Sequence, residues 1–210
     1  MAETDVETEQ RTTAPPGPGL DLLARVLTEV FAPAVVVLVL PMAVAWSATH
    51  RMPSTLGWGA FVALTSSVLP MTGIVIGARL GWWDGHHVRN REGRLIPFAV
   101  LIVLSVLGLA WLLRIGAPDL MVALHVAMLS ALLVIGVITV WWKVSVHTAV
   151  GAGAVAILAD AYSGWMLVLW LVVAAVGWSR VRLGDHTPAQ VVVGAVVGVV
   201  AGGSGYLLAR

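Results

Sequence analysis

The stretch DLMVALHVAMLSALLVIGVITVWWK, residues 119–143, decides the fold. No formally charged residue lies between Asp119 and Lys143, and the apolar residues are continuous rather than alternating. A helix needs about 20 mostly apolar residues to cross a bilayer, whereas the strands of a membrane barrel alternate with a period of two. This stretch is therefore predicted to be a membrane-spanning helix.

Charged residues divide the rest of the chain in the same way. The other segments without a formal charge are residues 30–50, 52–78, 95–113, 144–159, 161–179 and 187–209. The two short segments around Asp160 predict a tight hairpin of short helices that turns at residues 160–164. By this length rule, the sequence predicts an all-α, polytopic membrane helix bundle of about six to seven transmembrane helices. Gly194, Gly198 and Gly202 are spaced four apart, a pattern that lets helices approach closely.

Composition excludes several other classes. Hydrophobic residues make up 59% and charged residues 11%, with a mean hydropathy of +0.94. A soluble domain averages about 25% charged residues, so this chain is predicted to be an integral, multi-pass protein of the cell membrane, surrounded by membrane lipids. The absence of cysteine excludes thiol chemistry. The net charge of +1, without a basic block, argues against nucleic acid as a partner.

The first 20 residues differ from the rest. They carry four acidic residues and a run of prolines and glycines at residues 15–19. We predict a disordered polar tail over residues 1–20 and one transmembrane domain over residues 21–210. The tail lacks the basic start of a secretory signal, so the first hydrophobic run is expected to remain as an anchor.

Three polar clusters interrupt the apolar chain, at residues 84–94, 142–147 and 179–190. Two predicted helices separate the first cluster from the second, and two short helices separate the second from the third. An even number of crossings returns the chain to the same side of the membrane. All three clusters are therefore expected to converge on one surface.

Such a convergence would be rich in cations and would contain two imidazoles. Its members would be Arg91, Arg94, Lys143, Ser145, His147, Arg180, Arg182 and His186. Guanidinium groups suit phosphate because each fork can make two charge-assisted hydrogen bonds. Two histidines beside a phosphate could divide the roles of nucleophile and general acid. A metal ion fits less well because the nearby carboxylates are outnumbered.

The second and third clusters resemble the type 2 phosphatidic acid phosphatase and haloperoxidase superfamily. Ser179-Arg180, five residues and then His186 match its third motif. Val144-Ser145-Val146-His147 keeps the serine and histidine of its second motif, Pro-Ser-Gly-His. His87, six residues and then Arg94 occupy the frame of its first motif, and Arg91 could supply the cation that the motif's lysine provides. The resemblance covers roughly residues 84–205.

The resemblance implies a role for each matched residue. His186 would be the nucleophile that becomes a phosphohistidine, and His147 the acid that protonates the leaving group. The expected phosphate-binding residues are Arg94, Ser145, Arg180, Arg91 and Lys143. Gln190 stands where the family has an aspartate, and it can reach His186 because residues four apart on a helix share a face. No metal and no cofactor is implied.

The sequence thus predicts a metal-independent membrane phosphatase acting on a lipid phosphate or diphosphate. Dolichyl diphosphate phosphatases look similar around His186 and Gln190, which favours an isoprenoid diphosphate; phosphatidic acid and phosphatidylglycerol phosphate stay open. The alternative is a non-catalytic lipid-phosphate binding or carrier protein. The excess of positive charge around the clusters favours a cytoplasmic site by the positive-inside rule, although relatives in this family often work on the outer face.

Overall fold

The computed structural model describes residues 18–80 and 95–210, and within them 88% of residues are helical and none lies in a strand. The predicted all-α class is therefore confirmed. The helices are α1 (Pro18–Val30), α2 (Pro33–Thr49), α3 (Met52–Ala63), α4 (Leu69–Arg79), α5 (Leu95–Arg114), α6 (Asp119–Trp141), α7 (Val146–Ala161), α8 (Trp170–Arg182), α9 (Pro188–Val197) and α10 (Ser204–Ala209). Short π-helical segments, Leu64–Val68 and Gly198–Gly203, join α3 to α4 and α9 to α10, and the 3₁₀ helix Gly164–Leu169 leads into α8.

Several of these helices are long and apolar enough to cross a membrane. In the part of the chain that the structure describes there are three: Asp119–Trp141, Gly164–Arg182 and Pro188–Ala209. A fourth results if α1 and α2, which are bent by 46° at a short break, count as one span. α7 and the Ala99–Arg114 part of α5 are apolar but shorter. These helices indicate a membrane protein; the number of six to seven crossings stays a prediction.

The outward-facing side chains suit a lipid environment. Large hydrophobic residues are strongly exposed around the bundle, among them Leu208 at 86%, Trp141 at 73% and Leu171 at 72%. Apolar exposure of this extent is unfavourable in water, and hydrocarbon would cover it. The core lies around α6, where Met121 and Leu124 are fully buried.

The predicted turn at residues 160–164 is confirmed, but only the first of the two helices is short, since Gly164–Arg182 is long enough to cross a membrane. α7 ends at Ala161, and the 3₁₀ helix begins at Gly164, so the chain turns where the sequence indicated. The N-terminal boundary differs slightly from expectation. α1 begins at Pro18, so residues 18–20 of the predicted tail are helical, and residues 1–17 lie outside the described residues.

Glycines set the distance between α7 and α9. A Cβ atom on Gly194 would meet the backbone carbonyl oxygen of Ser145, and one on Gly198 would meet that of Ala149. Only a residue without a side chain fits there, because a carbonyl of the neighbouring helix occupies the space that Cβ would need. This close crossing confirms the packing role predicted for Gly194 and Gly198. It also brings the start of α9 to the start of α7.

Candidate active site

The second and third polar clusters converge at one end of the bundle. The backbone N–H of Ser145 donates to the carbonyl of Gln190 at 3.1 Å. One turn further on, the Thr148 hydroxyl donates to the carbonyl of Val191 at 2.9 Å. These two bonds fix the segment before α7 against the first turn of α9. The first cluster, with Arg91 and Arg94, lies outside the described residues.

His186 lies in the connection between α8 and α9 and is paired with Gln190. The side-chain oxygen Oε1 of Gln190 is 3.2 Å from Nδ1 of His186. Gln190 is itself fixed by a capping box at the start of α9. Its Oε1 accepts the backbone N–H of Thr187 at 3.1 Å, and its own N–H donates to the Thr187 hydroxyl at 3.3 Å.

This pairing selects one tautomer of His186. An amide oxygen can only accept, so Nδ1 must carry the proton when the hydrogen bond forms. The other ring nitrogen, Nε2, then keeps its lone pair. Burial is the main cause that lowers the pKa of His186, and the nearby cations Lys143 and Arg180 lower it further, against the opposing effects of Gln190 and Asp185. A lowered pKa keeps the ring neutral, which is the form that can act as a nucleophile.

Two cations reach the His186 segment from different parts of the chain. Lys143, before α7, donates from Nζ to the backbone carbonyl of Asp185 at 2.5 Å. Arg180, in the last turn of α8, makes an ion pair with the Asp185 carboxylate at 3.1 Å. Asp185 therefore organises both cations beside His186. Sequence reasoning assigned it no part, since its ionic partner is visible only in the folded chain.

Three buried polar atoms of the second and third clusters have no hydrogen-bond partner among the described residues. They are the hydroxyl Oγ of Ser145, Nε of Arg180 and Nη2 of Arg182, whose own Nε pairs with Asp21. Ser145 is completely buried, and the Arg180 side chain is only 14% exposed. Buried polar groups are normally satisfied, so unpaired ones call for an explanation. The Ser145 hydroxyl and Arg180 Nε can each donate a hydrogen bond, so each could bind an oxyanion.

His147 lies in the first turn of α7, half-buried. Arg180, Asp185 and His186 are near enough for their charges to act on its ring, and its other neighbour is the backbone of Thr28 in α1. The two histidines are thus brought to the same end of the bundle, as the parity of the helices predicted. His147 also lines an apolar cavity of about 260 Å³ between α2, α7 and α8.

Helix α1 covers one side of the site, which the sequence did not predict. The hydroxyls of Thr28 and Ser179 share a hydrogen bond at 3.1 Å, and Arg182 Nε donates to Asp21 at 2.9 Å. Arg182, expected among the cations of the converging clusters, is thus an ion-pair partner of α1. The sequence did contain a signal for this contact: Asp21 and Thr28 are two turns apart, so they lie on the same face of a strongly amphipathic helix.

Within residues 18–80 and 95–210, no three histidine or acidic side chains are close enough to hold a metal ion. The predicted absence of metals and cofactors stays a prediction. Comparison with protein-family models, with curated proteins and with solved structures gave no match. The function is therefore argued from the geometry of the site.

Proposed function

We propose that this protein is a membrane phosphatase that hydrolyses a lipid phosphate or diphosphate through a phosphohistidine at His186. One observation carries the proposal. A histidine whose Nδ1 is engaged by Gln190 lies beside two cations and a second histidine, and that second histidine lines an apolar cavity. Phosphoryl transfer is mainly positioning and charge stabilisation, and this arrangement supplies both.

Binding of the phosphoryl group would use the unpaired donors. Arg180 would donate from Nε, and Ser145 from its hydroxyl, to two phosphoryl oxygens. Lys143 would add positive charge beside His186. Arg91 and Arg94 are proposed as further cations, on the strength of the family resemblance alone.

The reaction would take place in two steps. The negative charge of the bound phosphate favours the protonated form of His147. The lone pair on Nε2 of His186 attacks phosphorus, the bond from phosphorus to the leaving oxygen breaks, and protonated His147 gives its proton to that oxygen. A water molecule then gives a proton to His147 and attacks the phosphohistidine. The P–N bond breaks, His186 is regenerated, and the products are the lipid alcohol, or the monophosphate from a diphosphate, and inorganic phosphate.

The proposed substrate is a membrane lipid, because the cavity at His147 is apolar and the outside of the bundle is suited to hydrocarbon. Among such lipids, an isoprenoid diphosphate is favoured because the residues around His186 and Gln190 resemble those of dolichyl diphosphate phosphatases. The proposed location is the cell membrane. The positive-inside rule favours a cytoplasmic site, and cysteine labelling of the N-terminal tail and at Arg210 in intact cells would test the orientation.

The experiment is phosphate release by the purified protein from isoprenoid diphosphate, phosphatidic acid and phosphatidylglycerol phosphate. We expect release from at least one of them, and we expect His186→Ala to abolish it. His50→Asn is a matched control: this histidine is exposed at the end of α2 with a left-handed backbone (φ 48°), which asparagine tolerates. The control should retain full activity.

A second readout tests the intermediate. Rapid quenching with ³²P-labelled substrate should trap an acid-labile phosphoprotein in the unaltered chain and none in His186→Ala. If the protein binds lipid phosphate without releasing inorganic phosphate, and His186→Ala does not affect this binding, the protein is a lipid-phosphate binding or carrier protein and not a phosphatase. Release that survives His186→Ala would remove His186 from the mechanism.

A further inference from the structure

The apolar cavity at His147 is a groove along one face of α7. His147, Gly151, Val155 and Leu158 line it in succession, and their spacing of four, four and three residues keeps them on the same side of the helix. From His147 to Leu158 the groove follows α7 for about 16 Å, at about 1.5 Å per residue. Its polar end is at the site, and its other end is near Leu158, in the last turn of α7.

The opposite wall of the groove opens towards the exterior. Val35 and Val39 of α2 line it and are 42% and 60% exposed. The far end is closed by two hydrogen bonds between α2 and the end of α7. The Tyr162 hydroxyl donates to the carbonyl of Ala43 at 2.7 Å, and Ser47 donates to that of Ala161 at 2.7 Å. A chain could therefore enter sideways from the membrane and would end near Leu158.

We infer that this groove holds one hydrocarbon chain of the lipid whose phosphate lies between Lys143, Arg180 and His186. The inference rests on the proposed function and adds the position of the chain. Two features favour this occupant. His147 lines the groove, and Arg180 and His186 are near enough for their charges to act on its ring, so the apolar groove adjoins the cation-rich site. A lipid phosphate has a matching apolar chain and anionic end. All the other groups that line the groove are apolar.

Substitutions at Gly151 test the inference without changing any of the proposed phosphate-binding residues. A Cβ atom there would be 3.5 Å from Val173, an ordinary van der Waals contact, so Gly151→Ala should fold normally. The larger side chain of Gly151→Leu would project into the groove and compete with a lipid chain. Gly57→Leu is the matched control, because a Cβ atom on Gly57 meets nothing within 4 Å.

The first measurement compares hexadecyl phosphate with p-nitrophenyl phosphate, which has no long chain. We expect Gly151→Leu to raise KM for hexadecyl phosphate about tenfold or more, because displaced apolar contacts in a pocket change selectivity by at least that factor. Its activity on p-nitrophenyl phosphate should stay unchanged, as should both activities of Gly57→Leu. An unchanged KM for hexadecyl phosphate in Gly151→Leu would overturn the inference.

The second measurement does not depend on turnover or on a variant. Hexadecyl phosphate carrying a diazirine in its chain is photolysed with the unaltered protein, and the labelled residues are mapped. Label on groove residues such as Val155 and Val173 supports the inference. Label only on outward-facing residues such as Leu208 overturns it, even if Gly151→Leu loses activity through misfolding.

The two proposals can fail separately. Groove labelling without phosphate release by the unaltered protein would leave the chain site standing and refute the phosphatase. Phosphate release without groove labelling would support the phosphatase and refute the chain site.

Discussion

One side-chain oxygen of Gln190, Oε1, accepts hydrogen bonds both from Nδ1 of His186, at 3.2 Å, and from the backbone N–H of Thr187, at 3.1 Å. One amide therefore fixes the start of α9 and the tautomer of the proposed nucleophile. A carboxylate would do both and would add a negative charge beside the imidazole. This difference can be tested without disturbing the fold.

Gln190→Glu should shift the pH dependence of phosphate release. Glutamate has the same length and completes a capping box equally well. Its charge would raise the pKa of His186, which in the unaltered protein is lowered chiefly by burial. Because the neutral ring is the reactive form, activity rises as pH rises through this pKa. The acidic limb of kcat/KM should therefore move to higher pH in Gln190→Glu, and an unmoved limb would contradict the role of Gln190.

Gln190→Leu removes the hydrogen-bond acceptor and should lower kcat far more than Gln190→Glu does. Without this acceptor, the proton of neutral His186 is no longer held on Nδ1. In the other tautomer the proton is on Nε2, which then has no lone pair for the attack. We expect kcat to fall by about 10²-fold, the lower range for a lost acid–base contribution. Equal activity of the leucine and glutamate variants would show that the contact between Gln190 and His186 is only structural.

Much of this site was predictable because its residues are polar in an otherwise apolar chain. The parity of the helices placed the clusters containing His147 and His186 at one end, and the structure has them there. The spacing of four predicted the contact between Gln190 and His186, but the reason given for it, a shared helix face, is wrong. His186 precedes α9, and Gln190 reaches it from the capping box at the start of that helix. The placement of the clusters depends only on counting crossings, which the sequence contains directly.

Other features required the folded chain. The ion pair of Arg182 with Asp21 joins residues 161 positions apart in sequence, and no local pattern specifies such a partner. The same holds for the groove along α7, since a cavity is defined by the walls of several helices. The length rule counted the uncharged segment before Arg51 as one helix, but it could not show that a charged helix, α1, precedes it at a bend of 46°.

Asp185→Asn should strengthen inhibition by inorganic phosphate. The Asp185 carboxylate neutralises Arg180 at 3.1 Å, so its removal leaves more positive charge for an anion. The pair is partly exposed, and we expect the inhibition constant to fall about two- to fivefold. Asp160→Asn is the matched control, because Asp160 pairs with Arg210 and not with a residue of the site. Phosphate inhibition that weakens in Asp185→Asn would place the anion elsewhere.

Thr187→Ala should destabilise the protein and should also loosen Gln190. The Thr187 hydroxyl accepts the N–H of Gln190 and completes the capping box. Loss of such a cap costs about 1 kcal/mol. The expected result is a lower melting temperature in detergent together with lower turnover. Thr72→Ala, which removes an exposed bond to the carbonyl of Val68 within a helix, should change neither quantity measurably.

Gly194→Ala should separate α7 from α9 and abolish the site. Its added methyl group would meet the carbonyl of Ser145, a backbone atom that cannot move independently of its helix. Overpacking of this kind typically costs about 1–3 kcal/mol. We expect a lower melting temperature and a loss of phosphate release that exceeds the loss of folded protein, because Ser145 and Gln190 are displaced relative to each other. Gly57→Ala is the control: its Cβ meets nothing, and alanine favours the helix by about 0.5–1 kcal/mol. If Gly194→Ala retains both stability and activity, the close crossing does not set the geometry of the site.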